Sequence, residues 1–396
     1  MGPGAKLAAA TIGAIYVLKI AALVMRGRPG GVSGWVAFLC AWPGINPEWF
    51  RQRREAASID AGEFLGAWFR MVAGLAAIVG LAIYAPRISD TVLGLAGVGA
   101  LILAVHLGVG GVLPWLVRWA GFLVPDLFRR PWEAHSLADF WSRRWNLAFG
   151  ELMRGWFLRP FYGWFGKGSR LAVFVVSGAL HELALSFPAG AGWGLPFAYF
   201  LLHGLLVAVE ERFRIVNRAW TWFWLIAPAP WLFHSAFRRT LIVPFYWWLH
   251  NAIGAISGTA WLSYALYAAV MGHLLVLVAS LQAPVRLNWK PDIAKLAPFN
   301  RKIFWVYGFY IVLSIVSFAV LTWRLHDSFL AGESAARGLA GFIAVFWTVR
   351  VLADAFWYDS RDWPAGNAMV VGHALLTSLF SSLAVVYWFA AAAPYR

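Results

Sequence analysis

Long apolar runs separated by short polar segments set the pattern of this chain. A helix that crosses a bilayer needs about 20 predominantly apolar residues. Segments of roughly that length recur from end to end, so we predict an all-α polytopic integral membrane protein with about ten transmembrane helices. The predicted spans are residues 7–25, 63–85, 91–113, 170–188, 195–210, 219–236, 256–281, 303–324, 338–357 and 367–391.

The polar segments between these spans carry the basic residues. Four of them are rich in Arg and Lys: 26–61, 114–170, 211–218 and 282–302. If the N-terminus lies outside, the predicted spans place all four on the cytoplasmic side, as the positive-inside rule requires. The basic pattern and the span pattern therefore support each other.

Two segments are neither clean spans nor clean loops. Residues 35–45, WVAFLCAWPGI, are too short to cross and end in Pro43-Gly44. Residues 136–165 are amphipathic and rich in Trp and Arg, as helices at a membrane surface are. We predict re-entrant or interfacial helices at both places.

Composition narrows the class of protein further. The 396 residues are 61% hydrophobic and 13% charged, against about 25% charged in soluble proteins. The net charge of +15 comes from basic residues between apolar runs, where they contact membrane lipids, so we expect no nucleic-acid partner. The single cysteine, Cys40, excludes an internal disulfide framework and a cysteine-based metal cluster.

Ionisable residues inside spans are costly and therefore indicate function. Histidines in or near apolar runs occur at positions 106, 181, 203, 234, 250, 273 and 373. For most of them a hydrogen bond between packed helices is explanation enough. His181 differs because Glu182 stands beside it in mid-span, and Ser177, one helical turn earlier on the same face, opens a run of small residues that leaves room for a ligand. A neutral imidazole can accept a proton from a hydroxyl near neutral pH.

Other chemistries lack their motifs. The chain has no G-x-S-x-G elbow, no H-E-x-x-H or H-x-x-x-H metal pattern, no phosphate-binding P-loop and no HxxxxD acyltransferase motif. We therefore predict no metal site and no bound cofactor.

Three stretches together carry a family resemblance. SLADFWSRRWN (136–146), RPFY (159–162) and SGALHEL (177–183) resemble the membrane-bound O-acyltransferase superfamily, within it the wax synthase-like branch. FLCAWPGIN (38–46) extends the match more weakly. The resemblance implies helices around an intramembrane catalytic chamber, with acyl transfer from acyl-CoA, as co-substrate, to a hydroxyl.

Residue roles follow from the same resemblance. It implies that His181 removes the acceptor's proton and that Asn146 holds the carbonyl or the acceptor through its amide. Arg143 and Arg144 are predicted to meet the CoA phosphates, with contact to lipid head groups as the alternative. Trp145, Glu182 and Ser177 complete the predicted substrate-contacting set. For Trp145 an interfacial anchor is the stronger interpretation, and Ser177 also fits simple helix packing.

The domain organisation expected from this resemblance has three parts. Residues 1–281 form the acyltransferase body with its motif core at 136–190, residues 282–302 form a charged linker, and residues 303–396 form a three-helix extension without a recognised motif. A long-chain alcohol acceptor and a wax ester product fit the branch, in a bacterial inner membrane, or in the endoplasmic reticulum of a eukaryote. The alternatives are an O-acetyltransferase for a glycan or secondary metabolite, and a transporter with polar residues lining its path.

Overall fold

A computed structural model describes residues 2–54, 60–155, 163, 169–256, 259–358 and 366–392. Within these ranges every regular element is a helix and none is a strand. Eight helices in the described ranges are long and apolar enough to cross a membrane, which confirms the all-α polytopic prediction. They are Pro3–Arg26, Gly62–Arg87, Asp90–Trp119, Arg170–Ala189, Trp261–Arg286, Pro298–Arg324, Ser334–Phe356 and Asn367–Ala392.

The predicted count of ten is not confirmed, because two segments differ from the expected spans. The segment predicted at 195–210 is the helix Leu195–Phe213, whose last turn carries Glu210, Glu211 and Arg212. The segment predicted at 219–236 is broken into three short helices. Pro228 and Pro230 lie at this interruption, and proline removes a backbone donor and collides with the preceding turn.

The chain divides into two compact units, Met1–His250 and Asn251–Arg396. The body predicted at 1–281 extends beyond this division, and the charged segment 282–302 lies inside the second unit. The roles assigned to the three predicted parts stay predictions.

In the first unit, the segment predicted to be re-entrant forms the short helix Gly31–Val36, followed by a π-helical turn, Ala37–Ala41. Lys19 of the first span is 2% exposed and donates from Nζ to the carbonyl oxygens of Phe38 at 2.5 Å and Trp42 at 2.7 Å. A buried ammonium needs such acceptors, and the end of a helix leaves carbonyls without partners. Lys19 therefore fixes the end of this short helix against the first span.

The second unit has its own core, built on aromatic side chains. Trp347, Phe329 and Tyr387 are each at most 2% exposed, and Trp347 stacks on Phe380 at 5.1 Å. His273 is fully buried there and accepts a hydrogen bond at 3.4 Å from Trp347 Nε1. A structural hydrogen bond thus accounts for this intramembrane histidine.

The span that carries His181 is not a regular α-helix throughout. Ser169–His181 is α-helical and widens into a π-helical turn at Glu182–Ser186. We call Ser169–Ser186 the His181 helix, and Leu195–Phe213 the Phe200 helix. These two helices pack along each other, and the Phe200 helix also contacts residues 137–139. The stretches SLADFWSRRWN and SGALHEL are therefore brought together at one pair of helices.

Candidate active site

The first motif folds as a short helix, Leu137–Asp139, that continues as a π-helical turn, Phe140–Arg144. Ser136 starts it, because its Oγ accepts from the backbone N–H of Asp139 at 3.0 Å. Glu210 of the Phe200 helix accepts from the backbone N–H groups of Leu137 at 2.8 Å and Ala138 at 3.0 Å. A buried carboxylate thus docks the start of the motif on the Phe200 helix.

Trp145 lies in a stack of rings. Its indole is parallel to His106 at 5.8 Å and to Phe140 at 5.3 Å, and meets Phe128 edge-on at 4.9 Å. Offset and edge-on arrangements at such separations stabilise aromatic clusters. Packing accounts for Trp145, so its predicted contact with substrate stays a prediction.

Asn146 has a left-handed backbone, with φ 44° and ψ 61°. Asparagine tolerates this conformation better than most residues, because its side chain bonds locally. Its Oδ1 accepts from the backbone N–H of Phe149 at 3.2 Å and starts the helix Leu147–Met153. The carbonyl end of the amide is therefore occupied, while the Nδ2 end can still donate to a ligand.

His181 is half-buried at the end of the α-helical part of its span. Its Nδ1 lies 2.7 Å from the carbonyl oxygen of Ser177, one turn earlier. A carbonyl oxygen can only accept, so Nδ1 carries the proton and Nε2 of the neutral ring keeps its lone pair. Ser177 thus acts through its backbone, and it leaves His181 in the tautomer that a base requires.

Glu182 faces a different partner from its neighbour. Its Oε1 accepts from the backbone N–H groups of Gly194 at 2.9 Å and Phe197 at 3.0 Å. These groups lie at the start of the Phe200 helix, where a negative charge is favourable. Glu182 therefore joins the two helices, and its predicted contact with substrate stays a prediction.

The motif and the histidine meet at the ring of Phe200. The ring centroids of His181 and Phe200 are 4.3 Å apart, and those of Trp141 and Phe200 are 5.5 Å apart. His106 is also close enough to His181 for an electrostatic interaction. No hydrogen bond joins Asn146 to His181 in the described part of the chain, so their joint action stays a prediction.

The two motif arginines have different surroundings. Arg144 Nε lies 2.6 Å from an Asp139 oxygen and its Nη1 lies 3.3 Å from Glu133. Burial alone lowers the pKa of the Arg144 guanidinium, but the bonds to Asp139 and Glu133 outweigh it and raise the pKa above its ordinary value. Arg143 has a side chain 78% exposed and only a 3.6 Å approach to Asp139. Arg143 is therefore the more available of the two for a ligand.

Both arginines line an open cleft of about 600 Å³. The described residues at its wall include five arginines and five carboxylates, so its fixed charges balance. The charged lining is Asp60, Glu63, Arg118, Asp126, Arg129, Arg130, Glu133, Asp139, Arg143 and Arg144. A polyanion that entered this cleft would have to displace carboxylates from the arginines that they contact. The more exposed arginines are the easier ones to reach.

Sequence reasoning missed Phe200 and Glu210, and treated His106 as a packing histidine. Only the position of Glu210 near the end of an apolar run gave a signal, since a buried carboxylate there needs partners. Trp156, Arg159 and Tyr162 lie outside the described residues, and so does the RPFY stretch.

Comparison with known families agrees with this site. Residues 124–202, which contain both motifs and His181, match the family described as membrane bound O-acyl transferase. Residues 124–202 are therefore similar to this family, and we call them the family segment. The resemblance predicted from the two motifs is thereby confirmed, and His181 and Asn146 lie inside the family segment.

Individual proteins similar to this chain come from plants. A long-chain-alcohol O-fatty-acyltransferase of Simmondsia chinensis is 34% identical over 94 residues, covering 21% of this chain and 26% of that protein. An acyl-CoA–sterol O-acyltransferase of Arabidopsis thaliana is 30% identical over 151 residues, covering 33% and 44%. A probable long-chain-alcohol O-fatty-acyltransferase of Arabidopsis thaliana is 31% identical over 153 residues, covering 33% and 43%.

These matches span less than half the length of each of the three relatives. No solved structure matches the chain.

Proposed function

We propose that this protein is a membrane-bound O-acyltransferase that moves an acyl group from acyl-CoA to the hydroxyl of a lipophilic alcohol. One observation carries the proposal. Within the segment that matches the family, Nδ1–H of His181 donates a hydrogen bond to the Ser177 carbonyl oxygen. This leaves Nε2 as a base beside the aromatic ring of Phe200.

The reaction follows from that tautomer. His181 Nε2 accepts the proton of the acceptor hydroxyl while its oxygen attacks the thioester carbonyl carbon. A carbon–oxygen bond forms, the carbonyl oxygen becomes an oxyanion, and the carbon–sulfur bond then breaks. The proton on His181 passes to the departing CoA sulfur, so the products are an ester and free CoA. A positioned base of this kind contributes about 10²–10⁴-fold in rate.

Asn146 supplies the second role. Its Oδ1 accepts a hydrogen bond from the backbone N–H of Phe149, so Nδ2 is the end of the amide that we assign to a ligand. A donor aimed at a carbonyl oxygen stabilises the charge that develops there in the transition state. We assign Nδ2 of Asn146 to the thioester carbonyl.

Arg143 meets the phosphates of CoA in this scheme. Its guanidinium is largely exposed at the charged cleft, whereas Arg144 is held by Asp139 and Glu133. A phosphate that displaces Asp139 from Arg143 gains a bidentate partner, because guanidinium matches the geometry of phosphate oxygens. Arg144 then keeps the motif helix in place.

The favoured acceptor is a long-chain primary alcohol, which yields a wax ester. Of the three relatives named above, one is named as a long-chain-alcohol acyltransferase, one as a probable one, and one as a sterol acyltransferase. We place the enzyme in the inner membrane of a bacterium.

The test supplies purified protein in detergent with labelled acyl-CoA and a panel of acceptors: 1-hexadecanol, a sterol, a diacylglycerol and a short alcohol. The proposal expects ester formation with 1-hexadecanol above all, and release of one CoA for each ester formed. CoA release without ester would show hydrolysis, and the absence of both with every acceptor would refute the proposal.

A further inference from the structure

Four buried polar side-chain atoms in the described part of the chain have no hydrogen-bond partner, and three of them are neighbours. They are Nε1 of Trp141, Nδ1 of His203 and Nε1 of Trp224. Folded proteins satisfy most buried polar groups, so a group of unsatisfied ones calls for an explanation. The fourth atom, Oε2 of Glu182, belongs to the helix junction described above.

His203 defines the kind of partner that is missing. The residue is fully buried on the Phe200 helix, and its Nε2 lies 2.9 Å from the carbonyl oxygen of Trp224. Because that carbonyl only accepts, Nε2 carries the proton of the neutral ring and Nδ1 is an acceptor. The partner that Nδ1 requires is therefore a donor.

Trp141 calls for the opposite. Its Nε1–H is a donor and never an acceptor, and its indole centroid is 5.5 Å from the His203 ring. One unmatched donor and one unmatched acceptor thus lie on adjacent rings. Trp224, whose carbonyl holds His203, adds a second unmatched donor in the same hydrophobic cluster.

A hydroxyl group fits this arrangement. It donates one hydrogen bond and accepts up to two through a single oxygen. A carboxylate or an ester offers acceptors alone, and an ammonium offers donors alone, so each would leave one ring unmatched. The surroundings are otherwise apolar, and an alcohol that enters them loses its hydrogen bonds to water unless the protein replaces them.

The position of the pair connects it with the reaction. Trp141 belongs to the first motif and contacts Phe200 at 5.5 Å, and His181 contacts the same ring at 4.3 Å. We infer that Trp141 Nε1 and His203 Nδ1 form a subsite that binds the hydroxyl of the acceptor lipid before acyl-CoA is bound. When the alcohol reacts, the hydroxyl turns its single proton from His203 Nδ1 to His181 Nε2. This inference rests on the proposed function for the identity of the acceptor. It assigns acceptor recognition to an uncharged hydroxyl-bearing lipid and excludes carboxylate and ammonium ions.

The experiment measures binding without acyl-CoA, so it does not depend on turnover. Two ligands are compared, 1-hexadecanol and its methyl ether, which keeps the acceptor lone pairs and lacks the donor. Trp141→Phe removes the indole N–H. His203→Phe keeps a ring at this position and removes the acceptor at Nδ1, together with the donor to the Trp224 carbonyl. Trp222→Phe, in the same cluster, is the matched control.

The expected pattern is specific. The wild-type protein binds the alcohol about 10-fold more tightly than the ether, as the loss of one buried hydrogen bond implies. Trp141→Phe weakens the binding of both ligands by about 10-fold, whereas His203→Phe weakens only the binding of the alcohol. Trp222→Phe binds both ligands like the wild type.

Equal affinity of the wild type for alcohol and ether overturns the inference, even if a variant does not fold. Lower thermal stability of both variants with unchanged alcohol affinity also overturns it, since the pair would then hold a structural water. The binding pattern without ester formation would refute the proposed function and leave the hydroxyl subsite standing.

Discussion

Glu182 provides a quantitative test of the helix junction at the site. The carboxylate accepts two backbone hydrogen bonds, from Gly194 and Phe197, at the start of the Phe200 helix. Hydrogen bonds to charged groups contribute about 1.5–3 kcal/mol each, and a neutral acceptor gives roughly half as much. The bond to Gly194 lies on the exposed side, so the lower values apply. Glu182→Gln should then lower the free energy of unfolding by about 1.5 kcal/mol, and Glu182→Ala by about 3 kcal/mol.

Thermal unfolding in detergent, followed by tryptophan fluorescence, measures this effect. A loss of 1 kcal/mol shifts the midpoint by about 2–4 °C in a unit of this size, so Glu182→Gln should unfold about 3–6 °C earlier. Glu211→Gln is the matched control, because Glu211 of the Phe200 helix also pairs with the His181 helix, through Arg170 at the exposed surface. Exposed pairs contribute about 0–1 kcal/mol. If Glu182→Gln and Glu211→Gln unfold at the same temperature as the wild type, the junction assigned to Glu182 is wrong.

Three further predictions concern the candidate site and its support. Asn146→Gly keeps the left-handed backbone and removes the amide, so ester formation should fall at least about 100-fold while the midpoint of unfolding changes little; a residue that only caps its helix would leave turnover intact. Arg143→Gln should raise KM for acyl-CoA about 10-fold at low salt, whereas Arg144→Gln should mainly lower thermal stability; the reverse result would exchange their roles. Lys19→Met leaves buried carbonyls unmatched and should destabilise the protein by about 3 kcal/mol or more in chemical denaturation, and a stability equal to wild type would contradict the account of the short helix.

Much of the architecture followed from hydrophobic run length. All eight candidate spans coincide with predicted ones, because a run of about 20 apolar residues has few other uses. The span predicted at 219–236 was not confirmed, and the cause is local and visible in the sequence. Pro228 and Pro230 lie in the middle of that apolar run, and hydropathy alone does not register the backbone donors that they lack.

Part of the candidate site could be predicted from the sequence. His181 stood out because ionisable groups are rare within spans. Its place in a stretch that resembles the family added the expectation that it acts as a base. The tautomer of His181 could not be predicted from the sequence, because it depends on the 2.7 Å distance between Nδ1 and the Ser177 carbonyl oxygen. The different surroundings of Arg143 and Arg144 were likewise hidden, because adjacent residues of one motif carry the same side chain.

Long-range contacts were the least predictable part. Glu210 docks the first motif from 72 to 73 residues away along the chain. The pairing of Trp141 with His203 has no sequence periodicity at all, because it arises where separate helices meet. Such contacts depend on how the helices pack, which a single sequence does not specify.

The central claim is that Nε2 of His181 is the base for acyl transfer to an alcohol. The most direct measurement is the rate of labelled ester formation from acyl-CoA and 1-hexadecanol by His181→Ala, compared with wild type at equal amounts of folded protein. His250→Ala is the control, since that ring also bonds a backbone carbonyl, of Ala82 at 2.9 Å, but lies outside the family segment. We expect a loss of about 10²–10⁴-fold or more for His181→Ala and nearly full activity for His250→Ala. Wild-type turnover by a folded His181→Ala protein would contradict the claim.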